Sequence, residues 1–290
     1  MTSLNCNSRI STLVGFCLAV ASGAYGQISS INSAYLDPNS LFQPQIPGST
    51  FTYNNSYPTS VTLTEANVAN AGGGGNTYAN KNVWYFSNDG GATPYQFQSG
   101  DYFNASFTFT LTGNDPNQKD LEGGLFFHNP SGSFGGDLAI YVVGGGGNAG
   151  VVFQGGGPSY YPFSPLAGGY PGAGGSVPNY SLGETYTLGL SYTIDPNTGK
   201  NAFEYSVNGQ YAASAAGDPY FDLGAGQFVG GSGGDTLGGY LQVQTDPTNP
   251  NQGGQAVFGN TTITPVPEPS LLALAGLGVL PLVRQLRRRA

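Results

Sequence analysis

A two-residue alternation of apolar and polar positions is the clearest pattern in the chain. Across residues 103–112, Phe103, Ala105, Phe107, Phe109 and Leu111 alternate with Asn104, Ser106, Thr108, Thr110 and Thr112. Successive side chains of a strand point to opposite faces, so this run is a strand with one buried and one wet face. A second alternation, over 184–194, sets Tyr186, Leu188, Leu190, Tyr192 and Ile194 against Thr185, Thr187, Ser191 and Thr193. It runs into Asp195-Pro196-Asn197-Thr198-Gly199-Lys200, after which Phe203, Tyr205 and Val207 resume the period, which predicts a hairpin. Shorter β-branched and aromatic runs predict strands at 83–87, 124–128, 138–143, 151–154, 240–245 and 255–264. No internal segment has a capped helical period. The body is therefore all-β, an antiparallel β-sandwich of jelly-roll type.

Glycine-rich stretches at 72–75, 144–147, 155–157 and 168–175 read as surface loops, and 155–180 reads as one long loop. That loop carries Tyr160, Tyr161 and Tyr170, rings placed to stack on sugars if exposed, though a packed cover is the plainer reading. Trp84, Tyr85 and Phe86 read as strand core.

The two ends follow a different pattern. Residues 1–26 have one positive charge at Arg9, an apolar run over 13–21, and small residues Ala24 and Gly26 before Gln27. This is the layout of a secretion signal, forming a short helix cleaved after Gly26. Cys6 and Cys17 both lie within it, so the exported chain keeps no thiol, disulfide or cysteine metal site. Residues 27–79 form an N-terminal extension, open to supplying the first strands of a sandwich domain over 80–264. Residues 265–290 form a separate tail.

In the tail, Val266, Pro267, Glu268, Pro269 and Ser270 precede an apolar run containing Leu271, Leu272, Leu274, Leu277, Leu280 and Val283. Arg284, Arg287, Arg288 and Arg289 follow as a basic stop. Motif, apolar helix and basic end in this order closely resemble the PEP-CTERM sorting tail. That resemblance implies an exosortase-like processing enzyme as partner, a transient or stable membrane anchor, and a cell-surface or extracellular place in a Gram-negative-type bacterium. The physics agrees, because terminal arginines stay on the cytoplasmic side of an inserted helix. The run is short, about 21 Å as a helix, and Pro281 interrupts it.

The order of strands in the body resembles a concanavalin-like or laminin-G-like jelly roll. The strand at 103–112 is followed by Gly124-Leu125-Phe126-Phe127-His128-Asn129, then by 137–143, and later by the pair ending Tyr205-Ser206-Val207-Asn208-Gly209. The resemblance covers residues 80–264 and implies a sugar-contacting module.

Charge narrows the partners. Only 8% of residues are charged, and the body between signal and tail holds three cations, Lys81, Lys119 and Lys200, against many carboxylates. Such a surface repels phosphate backbones, so nucleic acid is excluded as a partner. Neutral extracellular polysaccharide fits it better.

Catalytic chemistry is sparse. Glycoside hydrolysis needs two facing carboxylates; Asp120 and Glu122 have the spacing but read as solvated loop charges. His128 is the single histidine, lacks a nucleophile elbow, and reads as a strand-end residue. No catalytic residue is assigned, and no cofactor is required. Calcium is the one metal whose oxygen preference matches the loops, first at Asp115, Asn117 and Asp120, then at Asp195 and Asn197. The same Asp-Pro-Asn sequences are good turn formers, which is the simpler reading.

Overall fold

The computed structural model describes residues 28–38, 46–68, 79–114, 121–130, 138–144, 151–154, 160–162, 182–214, 216–231, 233–245, 249 and 251–266. The signal helix and the hydrophobic tail helix fall outside these residues. After a single 3-10 turn at Ile28–Ser30, every described element is a strand. The seven-stranded sheet runs β1 (Ser33–Leu36), β4 (Ala79–Ser87), β14 (Thr236–Gln244), β6 (Leu121–His128), β7 (Leu138–Gly144), β8 (Val151–Gln154) and β9 (Tyr160–Pro162). The eight-stranded sheet runs β12 (Gln210–Tyr211), β11 (Asn201–Val207), β10 (Thr185–Ile194), β5 (Phe103–Gly113), β15 (Gly254–Pro265), β3 (Ser60–Ala66) and β2 (Thr50–Ser56), with β13 (Phe221–Asp222) also on β11. Neighbours pair antiparallel throughout, giving a jelly-roll sandwich.

The alternating strands form as their pattern demands. In β5 Phe103, Ala105, Phe107, Phe109 and Leu111 are buried, and the intervening residues are not. The 195–200 turn closes the β10–β11 hairpin with a 2.8 Å bond from the Asp195 amide to the Lys200 carbonyl and Gly199 at φ +71°. Between the sheets lies an aromatic core. Trp84, fully buried on β4, packs edge-on against Phe258 of β15 at 5.5 Å between centroids and against Phe86 at 5.4 Å. Phe127 of β6 meets Phe203 of β11 at 5.5 Å. Each such ring removes apolar area worth about 1.5–3 kcal/mol from water.

Several strands are longer than their apolar runs. β4 begins at Ala79 rather than 83, because Asn80 and Asn82 turn inward and are buried. β14 begins at Thr236 rather than 240, with Gly238 and Gly239 inside it instead of breaking it. A Cβ on Gly239 would lie 2.4 Å from Phe258 and 2.7 Å from the Trp84 indole nitrogen, so the bare backbone is what lets Trp84 seat. Residues of the N-terminal extension supply β1 to one sheet and β2 and β3 to the other. Their short runs, Phe51-Thr52-Tyr53 and Val61-Thr62-Leu63, follow the same alternation.

The outer face of the eight-stranded sheet is a hydroxyl lattice. Thr62, Thr64, Thr108, Thr110, Thr185 and Thr187 project from neighbouring strands in register. Thr110 and Thr185 share a 2.7 Å hydrogen bond, and Gln255 donates to Thr64 at 2.9 Å. Across β2, β3, β15, β5 and β10 the only charged residue is Glu65, and it is buried on the inner side.

Candidate functional site

Three strands far apart in sequence build the richest polar surface. β14 lies between β4 and β6, and the ladders set Lys81, Gln242 and Glu122 in one row, Tyr85, Gly238 and Phe126 in another, and Thr236 beside His128. These side chains share the face turned away from the aromatic core, since strand neighbours such as Trp84, Leu241 and Phe127 fill the interior.

The Lys81 ammonium sits 4.5 Å from the Phe126 ring centroid and 4.4 Å from that of Tyr240. Both rings present negative faces to it. Tyr240 donates to Glu122 Oε1 at 3.4 Å. Burial pushes the Glu122 carboxyl above its ordinary range, while the Lys81 charge and the tyrosine hydrogen bond pull it back. His128 stacks on Phe126 at 6.2 Å and lies 6.4 Å from the Tyr85 ring. Tyr85, Phe126, Tyr240 and Gln242 are buried, whereas Lys81, Glu122 and His128 are partly exposed. The result is a cation held by two rings and balanced by one carboxylate, with an imidazole at the rim.

Glu122 was expected to be a solvated loop charge, and the structure corrects this. It belongs to β6, paired with Gln242 and Val143, because the following Gly123 and Gly124 continue the strand rather than break it. The charged group that acts on it is Lys81, not a second acid. His128 is the last residue of β6, as its position implied.

Tyr160 and Tyr161 are also corrected. They lie in β9, pairing with Phe153 and Val152 at the edge of this same sheet, rather than in an irregular loop. Tyr170 falls outside the described residues. So do Ala24, Gly26, Asp115, Asn117, Asp120 and the tail from Pro267 onward. Val266 is described, and its amide donates to the Tyr102 carbonyl at 2.9 Å.

At the second calcium candidate, Asp195 and Asn197 take part in a turn. The Asp195 carboxylate accepts from the Asn197 amide at 2.7 Å and from the Thr198 hydroxyl at 2.9 Å, and Lys200 pairs with Asp222 at 3.2 Å. Among the described residues no group of three acidic, histidine or cysteine side chains is arranged to hold a metal. Among them, too, no helix is long and apolar enough to cross a membrane.

A buried polar cluster between the sheets was missed by the sequence reading. Glu65, 1% exposed, accepts from Asn80 Nδ2 at 2.7 Å and from Asn82 Nδ2 at 2.6 Å. Asn80 also donates to Ser49 Oγ and accepts from the Ile46 amide, both at 2.8 Å. Burial raises the Glu65 carboxyl above its usual range, against the pull of Asn80, Asn82 and Ser49. The alternation Val61, Leu63, Glu65 could have placed this acid inward, had β3 been assigned.

No protein-family model matches the chain, and no curated protein matches it in sequence. Among solved structures, it is similar to the alginate lyase from Corynebacterium sp., at 13% identity and a TM-score of 0.43, over 74% of this chain and 80% of that one. It is also similar to the carbohydrate recognition domain of Emp47p, at 12% identity and a TM-score of 0.40, over 80% and 95% of the two chains. A third is the carbohydrate binding module CBM66 from Bacillus subtilis, at 14% identity and a TM-score of 0.33, over 76% and 98%. The likeness extends no further than the arrangement of strands.

Proposed function

We propose that this chain is an exported, non-catalytic module that associates with neutral extracellular polysaccharide. The observation that carries the reading is the scarcity of unbalanced charge on the described sheet faces, where Glu204 on β11 is the one outward acid without a cation beside it. On the seven-stranded sheet, Lys81 is offset by Glu122 and enclosed by rings. On the eight-stranded sheet, the outer face across five strands is hydroxyl and amide without charge. Neutral sugars need hydrogen-bonding groups and apolar ring faces but no counter-charge. A polyuronate would need cations to offset its carboxylates, and here the one cation of the site is already balanced.

Retention on a polysaccharide panel tests this reading. At least one neutral polymer should retain the protein while alginate-like polyuronates do not. Uniform failure to bind would leave a purely structural coat component, and preference for polyuronates would refute the argument from charge. A hydrolase reading draws on the raised Glu122 carboxyl, which suits a proton donor. It requires reducing-sugar release that disappears in Glu122→Gln.

Delivery in this reading runs through the ends of the chain. The signal is cut after Gly26, where Ala24 and Gly26 supply the small residues, an exosortase-like enzyme acts at residues 266–270, and the apolar run with its arginines holds the chain at the membrane meanwhile. The intact mass of protein from its producing cells checks it: a C-terminus within 266–270 supports sorting, and an intact arginine tail rejects it.

A further inference from the structure

A β-sandwich has four sheet edges, each a row of unpaired backbone N–H and C=O groups that can pair with another chain. Among the described residues, the strands at three of these edges are short. β1 has 4 residues, β9 has 3 and β12 has 2. β1 is also covered, since its Ala34 carbonyl accepts from Tyr53 Oη at 3.2 Å and from Asn55 Nδ2 at 2.9 Å.

The fourth edge is different. β2 runs for 7 residues, Thr-Phe-Thr-Tyr-Asn-Asn-Ser, in unbroken register with β3 from Thr50↔Ala66 to Ser56↔Ser60. It has no charge, no proline and no bulge, the devices that ordinarily keep an edge strand from pairing. Among the described residues, nothing outside β3 and the following turn bonds to its backbone. Phe51 and Tyr53 pack on the core yet remain only partly buried, as though the apolar layer stopped one strand short.

We propose that β2 is a self-association edge, and that its partner is the β2 of a second copy of this chain. The strand is self-complementary in the antiparallel sense. With Tyr53 opposite Tyr53, all seven residues pair: Thr50 faces Ser56, Phe51 faces Asn55 and Thr52 faces Asn54. No pair sets like charges together, Tyr53 of each copy faces Tyr53 of the other, and Phe51 lies diagonal to the other copy's Tyr53, within reach of its ring. Such a two-fold contact is isologous and closed, so it yields a dimer rather than a fibre. The two eight-stranded sheets become one continuous sheet, joining their uncharged hydroxyl faces side by side. The contact is main-chain strand addition, with side chains setting the register. It stands independently of which polymer the faces contact.

Sedimentation velocity of the protein purified from its producing cells, over a concentration series, is the test. The wild type should pass from monomer to dimer with rising concentration. Thr52→Lys with Asn54→Lys sets lysine against lysine twice across the ladder, which is destabilising, and should weaken the dimer at least tenfold. Both positions are exposed on the outer face, so the far-UV circular dichroism should not change. Thr52→Glu with Asn54→Lys sets opposite charges across the same pairs and should restore the dimer. A wild type that stays monomeric throughout overturns the proposal, as does a double-lysine variant that dimerises normally. Failure of the opposite-charge variant to recover overturns the Tyr53-centred pairing.

Discussion

Removing the Glu65 side chain is the sharpest perturbation of the interior. Glu65→Ala takes away the only carboxylate that accepts from both Asn80 and Asn82, at 2.7 and 2.6 Å. Both amides lie at the sandwich interface, Asn80 at 0% and Asn82 at 4% exposure, out of reach of bulk water. A buried donor left unsatisfied costs about 1–3 kcal/mol, so two cost about 2–6 kcal/mol. For a domain of this size, each 1 kcal/mol lowers Tm by roughly 2–4 °C. Glu65→Gln removes the charge and also sets an NH2 donor where one of the two carboxylate oxygens accepted; that second loss does not change with pH, so the pH dependence of the difference from wild type isolates the electrostatic part. Because burial holds the folded carboxyl above its ordinary value, the native state binds more protons than the unfolded state between the two values. The Glu65 contribution is therefore fully present below the unfolded value and lost as pH rises through the folded one. Urea unfolding at pH 4 and pH 7 reads this directly: relative to wild type, Glu65→Gln should gain stability as pH rises. Other titrating groups are shared by both proteins and cancel in the difference. A gap that does not change with pH, or a Glu65→Ala cost under about 1 kcal/mol, would refute the reasoning.

Two further outcomes follow from the geometry. Gly239→Ala places a Cβ within 2.4 Å of Phe258 and 2.7 Å of Trp84, so thermal unfolding should reveal an overpacking cost of about 1–3 kcal/mol, and no loss would mean that both rings shift freely. Lys81→Met removes the positive charge that favours ionised Glu122, so the Glu122 carboxyl followed by carbon-detected NMR titration should rise further, and an unchanged or lower midpoint would contradict the pairing.

Legibility followed the strength of the local pattern. β5 and the β10–β11 hairpin could be read directly, since a period of two with aromatic and threonine alternation has no other stable home. β4 and β14 were read only in part. Asn80 and Asn82 look like surface residues until Glu65 faces them across the core, and Gly238 and Gly239 look like a break until Trp84 needs the space. Glu122 was misjudged for a related reason: it follows the loop-like residues 113–119 in sequence, yet it already pairs with Gln242 and Val143 in the ladder between β14 and β7.

By itself, then, the sequence determined the sandwich class, the wet and buried sides of its strongest strands, and the low-charge chemistry of its surface. All three are properties of neighbouring residues or of composition, and they need no knowledge of what packs where. The tertiary structure alone decided that Lys81, Glu122, Phe126 and Tyr240 meet, that Glu65 finds two amides, and that β2 is left at an edge. The order β4-β14-β6 brings together residues more than a hundred positions apart, and no local periodicity encodes which strands become neighbours. That choice belongs to the packing of the two sheets, where the aromatic core fixes the register and the register places everything else.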